Sequence, residues 1–240
     1  MPLSLRERLP FSAHRAGTDL VVDESFVDLR FDDSTVDPPG PAPGPAPSPA
    51  PDAAPPVAAF DEHARVLTVG GMSKPYWGGL RIGWIRAAAP VIARLTAARV
   101  TIDMAGPVLD QLVAVALLEH ADDVMRHRRA QLTARRDALV AALRTHIPQW
   151  TFRVPDGGVC LWVELEAPVS TALAQAAQEH GVRLAPGPQF GVTGTLERYL
   201  RLPFTRPEAD LVEAVRRLAA ARADLTRARS PQWTPPALVA

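Results

Sequence analysis

Lys74 is the only lysine in this 240-residue chain; every other basic side chain is arginine or histidine. A bias toward arginine accounts for part of that scarcity, so the surroundings carry the argument. The stretch runs Thr68-Val69-Gly70-Gly71-Met72-Ser73-Lys74-Pro75-Tyr76-Trp77-Gly78-Gly79-Leu80-Arg81-Ile82-Gly83-Trp84. The apolar run Val66 to Val69 leads into small residues and then Ser73-Lys74. Two glycines, Arg81 and a second apolar run follow. This predicts a strand, a tight loop and a strand. A lysine on such a loop stands at the end of a buried sheet, its stem among apolar groups. Desolvation there favours the neutral amine, which attacks carbonyls. The plainer alternative is a surface lysine between two strands.

Two more residues sit where chemistry is done. Asp23 ends the apolar run Leu20-Val21-Val22. In an α/β pattern the end of such a strand is where ligands bind, although a turn or cap role suits an aspartate there equally. Arg81 opens Ile82-Gly83-Trp84-Ile85, and its planar fork is suited to phosphate oxygens. An ordinary strand-edge charge is the alternative.

Taken together these residues resemble a known family. Ser73-Lys74, three residues, then Gly79-Leu80-Arg81-x-Gly83 is similar to the lysine-bearing segment of fold-type I pyridoxal 5'-phosphate (PLP) enzymes, the class I/II aminotransferases above all. The seven-residue step from Lys74 to Arg81 resembles the aminotransferase-like domain of MocR regulators, a branch of the GntR family. The resemblance implies that Lys74 bonds the PLP aldehyde and Arg81 holds its phosphate, with Ser73 adding a hydroxyl. Asp23 would face the pyridine nitrogen and keep it protonated. Two positions depart from the pattern. Phe26 stands where relatives carry a tyrosine that bonds the ring oxygen, and Gly71 stands where many carry a hydroxyl residue. Further along, Gly157-Gly158, Pro186-Gly187 with Phe190, and Leu200-Arg201-Leu202 match the family's landmarks in order. Arg201 then binds the substrate carboxylate as a bidentate pair, with Arg198 as the alternate. A strand arginine paired with a surface acid is the plainer reading of Arg201.

The elements that must position these groups follow from pattern. Residues 4 to 16 read as a helix stopped by Gly17, with Pro10 straining its middle. Residues 37 to 56 alternate proline with small residues, which blocks helix and sheet and favours an extended, solvent-exposed insertion. From Pro90 to Ile147 the chain reads as helix, broken at Gly106-Pro107. One apolar stripe holds Ala93, Leu95, Val100, Leu109, Leu112, Val113, Ala116 and Leu117; a second holds Leu132, Leu139, Val140 and Leu143. The arginines at 126 to 129 and Arg135-Arg136-Asp137 read as a solvated helix face. Strands are expected at 152 to 154, 159 to 165, 182 to 185 and 199 to 204, with a helix from Ser170 to His180 stopped by Gly181. The Thr205-x-x-Glu208 spacing is that of a capping box opening a last helix through Arg229. The tail to Ala240 reads as disordered.

Composition sets limits. The 47% hydrophobic content suffices for a core, and 26 basic residues balance 26 acidic ones, so no net field draws the chain to nucleic acid. Cys160 is alone, which excludes an internal disulfide, and its apolar run suggests a buried, inert thiol. No signal-peptide pattern opens the chain, and no apolar run approaches the roughly 20 residues of a membrane span. His120, His127 and His146 lack metal-ligand spacing, so no metal is assigned. A cytoplasmic protein is the expectation.

The expected architecture is α/β, a truncated fold-type I PLP-transferase. Residues 1–92 form part of the PLP-binding large domain with the insertion at 37–56. Residues 93–147 are connecting helices, 148–229 an α+β C-terminal small domain, and 230–240 a tail. The resemblance covers about residues 3 to 225 and implies a family domain that begins well before Met1. The preceding part would supply several strands, the amides that cup the phosphate, an aromatic stacked on the ring and an asparagine. A sheet cut in this way exposes edges and an apolar face, so poor solubility or a complementing partner is expected. The implied activity is amino-group transfer between an amino acid and a 2-oxo acid, by a homodimer in the full-length form. A PLP-sensing effector domain of a MocR-type regulator, with no nucleic-acid binding by this chain itself, and an inactive remnant are the alternatives.

Overall fold

The computed structural model describes residues 1, 3–31, 55–103 and 105–229. The proline-rich insertion, apart from Pro55 and Pro56, and the tail from residue 230 lie outside the described residues. The chain divides into two units, Met1–Arg129 and Ala130–Ala240.

The first unit opens with α1 (Leu3–Arg15), which runs unbroken through the buried Pro10. It then forms a three-stranded sheet, β1 (Leu20–Asp23), β2 (Val66–Gly71) and β3 (Gly83–Arg86), in the order β1-β2-β3. β1 and β2 are parallel, with Leu20 opposite Val66 and Asp23 opposite Val69; β3 is antiparallel, with Gly71 opposite Gly83. Alternation sends Leu20, Val22 and Val66 to one face, where they pack with Leu9 of α1 and with Val57 and Ala58 of a 3-10 turn at Val57–Phe60. The opposite face leaves Val21 and Ile85 exposed. The start of β2 is fixed by Asp61, whose carboxylate accepts the amides of His63, Arg65 and Val66 at 3.3, 3.0 and 2.8 Å.

Helices follow: α2 (Ala89–Arg99), α3 (Val108–Glu119) and α4 (Ala121–His146), the last continuing into the second unit. The break at Gly106-Pro107 is where the sequence puts it. The first apolar stripe is helical but not buried. α2 buries no residue, α3 buries only Ala114, and Leu109 is 77% exposed. A helical period shows that one face is apolar; whether anything covers that face is a tertiary matter.

The second unit is a four-stranded sheet backed by helices. It comprises β4 (Thr151–Phe152), β5 (Cys160–Glu164), α5 (Ser170–Glu179), β6 (Ala185–Pro186), β7 (Tyr199–Pro203) and α6 (Glu208–Arg229), with sheet order β4-β5-β7-β6. Leu161, Val163, Leu200 and Leu202 turn inward, and Leu132, Leu139, Val140 and Leu143 of α4 are buried as their stripe predicts. α5 ends as read: Gly181 has φ +73°, its amide donates to Gln178 O and that of Val182 to Ala177 O. That left-handed turn is cheap only for glycine.

Three expectations need correction here. The strand read at 182–185 shrinks to Ala185–Pro186, because β6 is an edge strand and only those two residues meet β7. The last helix begins at Glu208, and Leu211 N–H donates to Pro207 O, so Pro207 occupies the cap position and Thr205 lies before it. The arginines of α4 are not simply a solvated face. Arg136 is only 9% exposed and donates to Pro155 O at 3.0 Å and to Asp137 at 2.8 Å, while Arg135 donates to Thr205 O at 2.8 Å. Charge pattern alone does not reveal that a guanidinium is spent on backbone carbonyls. Among the described residues no helix is long and apolar enough to cross a membrane.

Candidate active site

In the first unit Asp23, Lys74 and Arg81 come to one end of the sheet. Asp23 is the last residue of β1, Lys74 follows the end of β2 by three residues, and Arg81 precedes β3 by two. This is the carboxyl end of the parallel pair, where open α/β sheets bind ligands. The loop from Met72 to Ile82 is held from below. Met72 and Leu80 are buried against Ala114 of α3, with Tyr76, Ile82 and Leu117 packed around them. The base closes through Met72 N–H to Ile82 O at 3.0 Å, and Tyr76 N–H donates to Met72 O at 3.0 Å. Each buried apolar side chain of this size stabilises the loop by about 1.5–3 kcal/mol.

Lys74 is exposed, not sunk among apolar groups as its sequence context suggests, because Met72, Pro75 and Leu80 take the buried places around it. Its Nζ lies 5.8 Å from the centre of the Phe26 ring, a cation–π contact. No acid pairs with Lys74 or with Arg81 among the described residues. Arg81 is exposed and holds φ +54°, a left-handed conformation costing a residue with a Cβ about 1–2 kcal/mol. Ser73 is half-buried, and Gly71 ends β2. Asp23 does the turn work that one reading gave it: its Oδ1 accepts the Ser25 amide at 2.8 Å. The hydroxyl and amide of Ser25 hold its carboxyl below the usual aspartate range, so it stays ionised. Burial pushes the Tyr76 phenol up, and the carboxylates of Asp28 and Asp122 push the same way; the hydroxyl stays protonated.

In the second unit Arg201 lies on β7 opposite Trp162 of β5, on the outward face of the sheet. Its guanidinium is 5.7 Å from the centre of the Phe190 ring and has no acid partner among the described residues. The plainer reading, a strand arginine tied to a surface acid, therefore does not describe it. Arg198 is committed elsewhere, donating to Glu166 O at 2.7 Å and to Leu165 O at 3.5 Å. The sequence reading missed what surrounds Arg201. Trp162 meets Phe190 edge-on at 5.8 Å and stacks on Tyr199 at 5.5 Å. For Trp162 and Tyr199 the signal was present in the outward positions of two strands, but only the register joins them, and Phe190 comes from the 3-10 turn Gly187–Phe190. Cys160 faces the same way and is half-buried, not buried as its apolar run suggests, because strand alternation turns it out of the core.

Known proteins are similar to this chain in sequence and fold. The family described as aminotransferase class I and II matches residues 10–218. An aromatic-amino-acid aminotransferase of Thermococcus litoralis is 32% identical over 175 residues, 68% of this chain and 40% of its own length. An uncharacterised HTH-type transcriptional regulator of Bacillus subtilis is 34% identical over 121 residues, 49% of this chain and 25% of its own. The solved LysN, an alpha-aminoadipate aminotransferase from Thermus thermophilus complexed with N-(5'-phosphopyridoxyl)-L-leucine, superposes with TM-score 0.78 at 26% identity. That match covers 95% of this chain and 56% of LysN. The chain thus spans about half or less of the length of these relatives. The matched span runs from within α1 to within α6, through the sheets of both units, and its fold is fold-type I. On that extent of likeness the chain belongs to the class I and II aminotransferase family.

Proposed function

We propose that this chain supplies the lysine-bearing part of a PLP-dependent aminotransferase, which moves an amino group between an amino acid and a 2-oxo acid. The observation that carries the proposal is the single amine of Lys74. It lies beside Phe26 at the carboxyl end of the parallel strands, and the neighbouring strand ends in the ionised Asp23. The donor set fits the cofactor: an amine for its aldehyde, a guanidinium for its phosphate and a carboxylate for its ring nitrogen. The phosphopyridoxyl compound held by LysN is of the same chemistry.

When bound, PLP draws electrons from the substrate Cα, which lets the amino group change carbon skeletons. The chain's own residues do the rest. Lys74 would hold the cofactor through Nζ and would take and return the proton at the substrate Cα. Asp23, held ionised by Ser25, would supply the negative charge for the ring nitrogen. Arg81 would hold the phosphate through its fork, with the Ser73 hydroxyl as a further donor. Phe26 offers a ring face to the Lys74 ammonium in place of a hydroxyl, an interaction worth about 0.5–1 kcal/mol at an exposed site. In the second unit Arg201 receives the substrate carboxylate. A homodimeric whole protein belongs to the same proposal.

A second reading has its own support. The regulator from Bacillus subtilis and the seven-residue step from Lys74 to Arg81 favour a domain that binds PLP as a signal. One experiment separates the two. The chain is incubated with PLP, reduced with borohydride and digested, and turnover of amino acids is assayed in parallel. Label on Lys74 with turnover supports the enzyme; label without turnover supports the sensor; label elsewhere, or none, refutes both. The relatives' names give aromatic and aminoadipate substrates alike, so family membership does not fix the amino donor.

A further inference from the structure

The second unit holds a groove of about 420 Å³ that the proposed amino transfer does not use. Its volume falls in the roughly 300–1,000 Å³ range of small-molecule sites. It is lined entirely by residues of the second unit, and neither Arg201 nor the rings beside it take part. Leu202, which does line it, follows Arg201 on β7 and so turns to the opposite, helix-backed face of the sheet. Leu202, Leu139 of α4, and Leu211, Val215 and Leu218 of α6 are buried and form its apolar floor. The half-buried Val182 and Leu184 line it from the segment before β6. That segment is where the edge strand falls short. Ala185 and Pro186 pair with β7, whereas Arg183 and Leu184 make no backbone hydrogen bond among the described residues. Two amides in the lining are thus left as donors.

The charges decide what fits. Arg183, Arg206 and Arg217 line the groove, together with Asp210 and Glu213. Arg206 pairs with Asp210 at 3.2 Å and Arg217 with Glu213 at 2.8 Å. Arg217 also lies against the glycine that ends α5: a Cβ on Gly181 would stand 3.1 Å from its Nη1. Arg183 has no acid partner among the described residues, and it is exposed. The lining therefore carries two closed ion pairs and one open cation above an apolar floor. One negative charge on an apolar body complements that pattern. A second negative charge would meet the apolar floor or the carboxylates of Asp210 and Glu213, and a cation would meet Arg183.

We propose that this groove is a binding site for a monocarboxylate with an aliphatic body of medium length. The carboxylate pairs with Arg183, and the aliphatic body lies along Val182, Leu184 and the apolar face of α6. This site is separate from the residues assigned to PLP and to the amino acid, and it stands whether or not the chain transfers amino groups.

The test titrates butanoate, octanoate, octanedioate and neutral octanamide by calorimetry or ligand-observed NMR. It uses the whole chain carrying Arg201→Gln, so that the arginine assigned to the substrate takes no part. Octanoate is expected to bind on the order of tenfold more tightly than butanoate, because a groove open on one side covers about half of each of four added methylenes. It is expected to bind about fivefold more tightly than octanamide, as an accessible ion pair of the stronger kind supplies, and octanedioate no more tightly than octanoate. Arg183→Gln brings octanoate down to the level of octanamide and leaves octanamide unchanged. Ala214→Phe, which fills the groove from α6, abolishes both. Octanamide binding as well as octanoate, or octanoate unchanged in Arg183→Gln, overturns the proposal. So does octanoate binding that is lost in Leu109→Glu with Leu112→Glu, which would place it on the open face of α3. An affinity that falls as the chain is concentrated would assign the groove to a second copy and overturns it as well. Arg183 is exposed, so its variant decides the matter even if Ala214→Phe fails to fold.

Discussion

Thr68 carries a buried hydroxyl that finds no hydrogen-bond partner among the described residues. An orphaned buried donor costs about 1–3 kcal/mol. Thr68→Val keeps the branched shape that suits β2 and removes the orphan, so it is expected to stabilise the first unit by about 1 kcal/mol, read from urea unfolding. A loss of stability would show that the hydroxyl is satisfied in solution. Arg136 is the opposite case, a buried charge with its bonds made. Arg136→Ala removes a charged donor from Pro155 O and is expected to cost about 2 kcal/mol, with the second unit melting first. The chemistry of Lys74 was legible from its type and its glycine-flanked loop. Arg136 was not, since one arginine among many on a helix looks solvated until its carbonyl partner, from a turn 19 residues on, is placed beside it.

At the scale of elements, the site depends on how loops are tied to strands. Asp61 ties the start of β2. Burial pushes its carboxyl up, but the amides of Arg65, Val66 and His63 outweigh that and hold it below the ordinary value. A depressed carboxyl contributes stability that is whole above the unfolded aspartate pKa of about 4. That contribution is lost as pH falls through the folded value. The first unit should thus weaken below about pH 4, and Asp61→Asn should lower stability at neutral pH and flatten the acid limb. An unchanged acid limb would contradict the role given to Asp61. Leu80, fully buried under the lysine loop, anchors the other end. Leu80→Ala is expected to cost about 2–5 kcal/mol and to lower PLP labelling of Lys74 with it. Strand, loop and helix were readable as elements because their apolar periods are local. The short β6 and the Trp162–Arg201 pairing were not, because they depend on register between segments far apart in the chain.

For the whole molecule, the open surfaces are the main consequence. Leu109, Leu112 and Val113 on α3, Trp84 and Ile85 on β3, and Val21 on β1 are all exposed, and parallel strands ordinarily have both faces covered. Exposed apolar patches of this kind drive association. Sedimentation of the chain should show concentration-dependent self-association that Leu109→Glu with Leu112→Glu relieves; an ideal monomer at all concentrations would contradict it. The apolar stripes were evident as patterns along the helices, yet which of them is covered is a property of the assembled surface. The account as a whole depends on one amine. Mass spectrometry of the PLP-treated, borohydride-reduced chain tests it most directly: a phosphopyridoxyl adduct on the peptide containing Lys74, absent in Lys74→Ala, is the predicted result. An unmodified Lys74 peptide from folded protein at saturating PLP would contradict it.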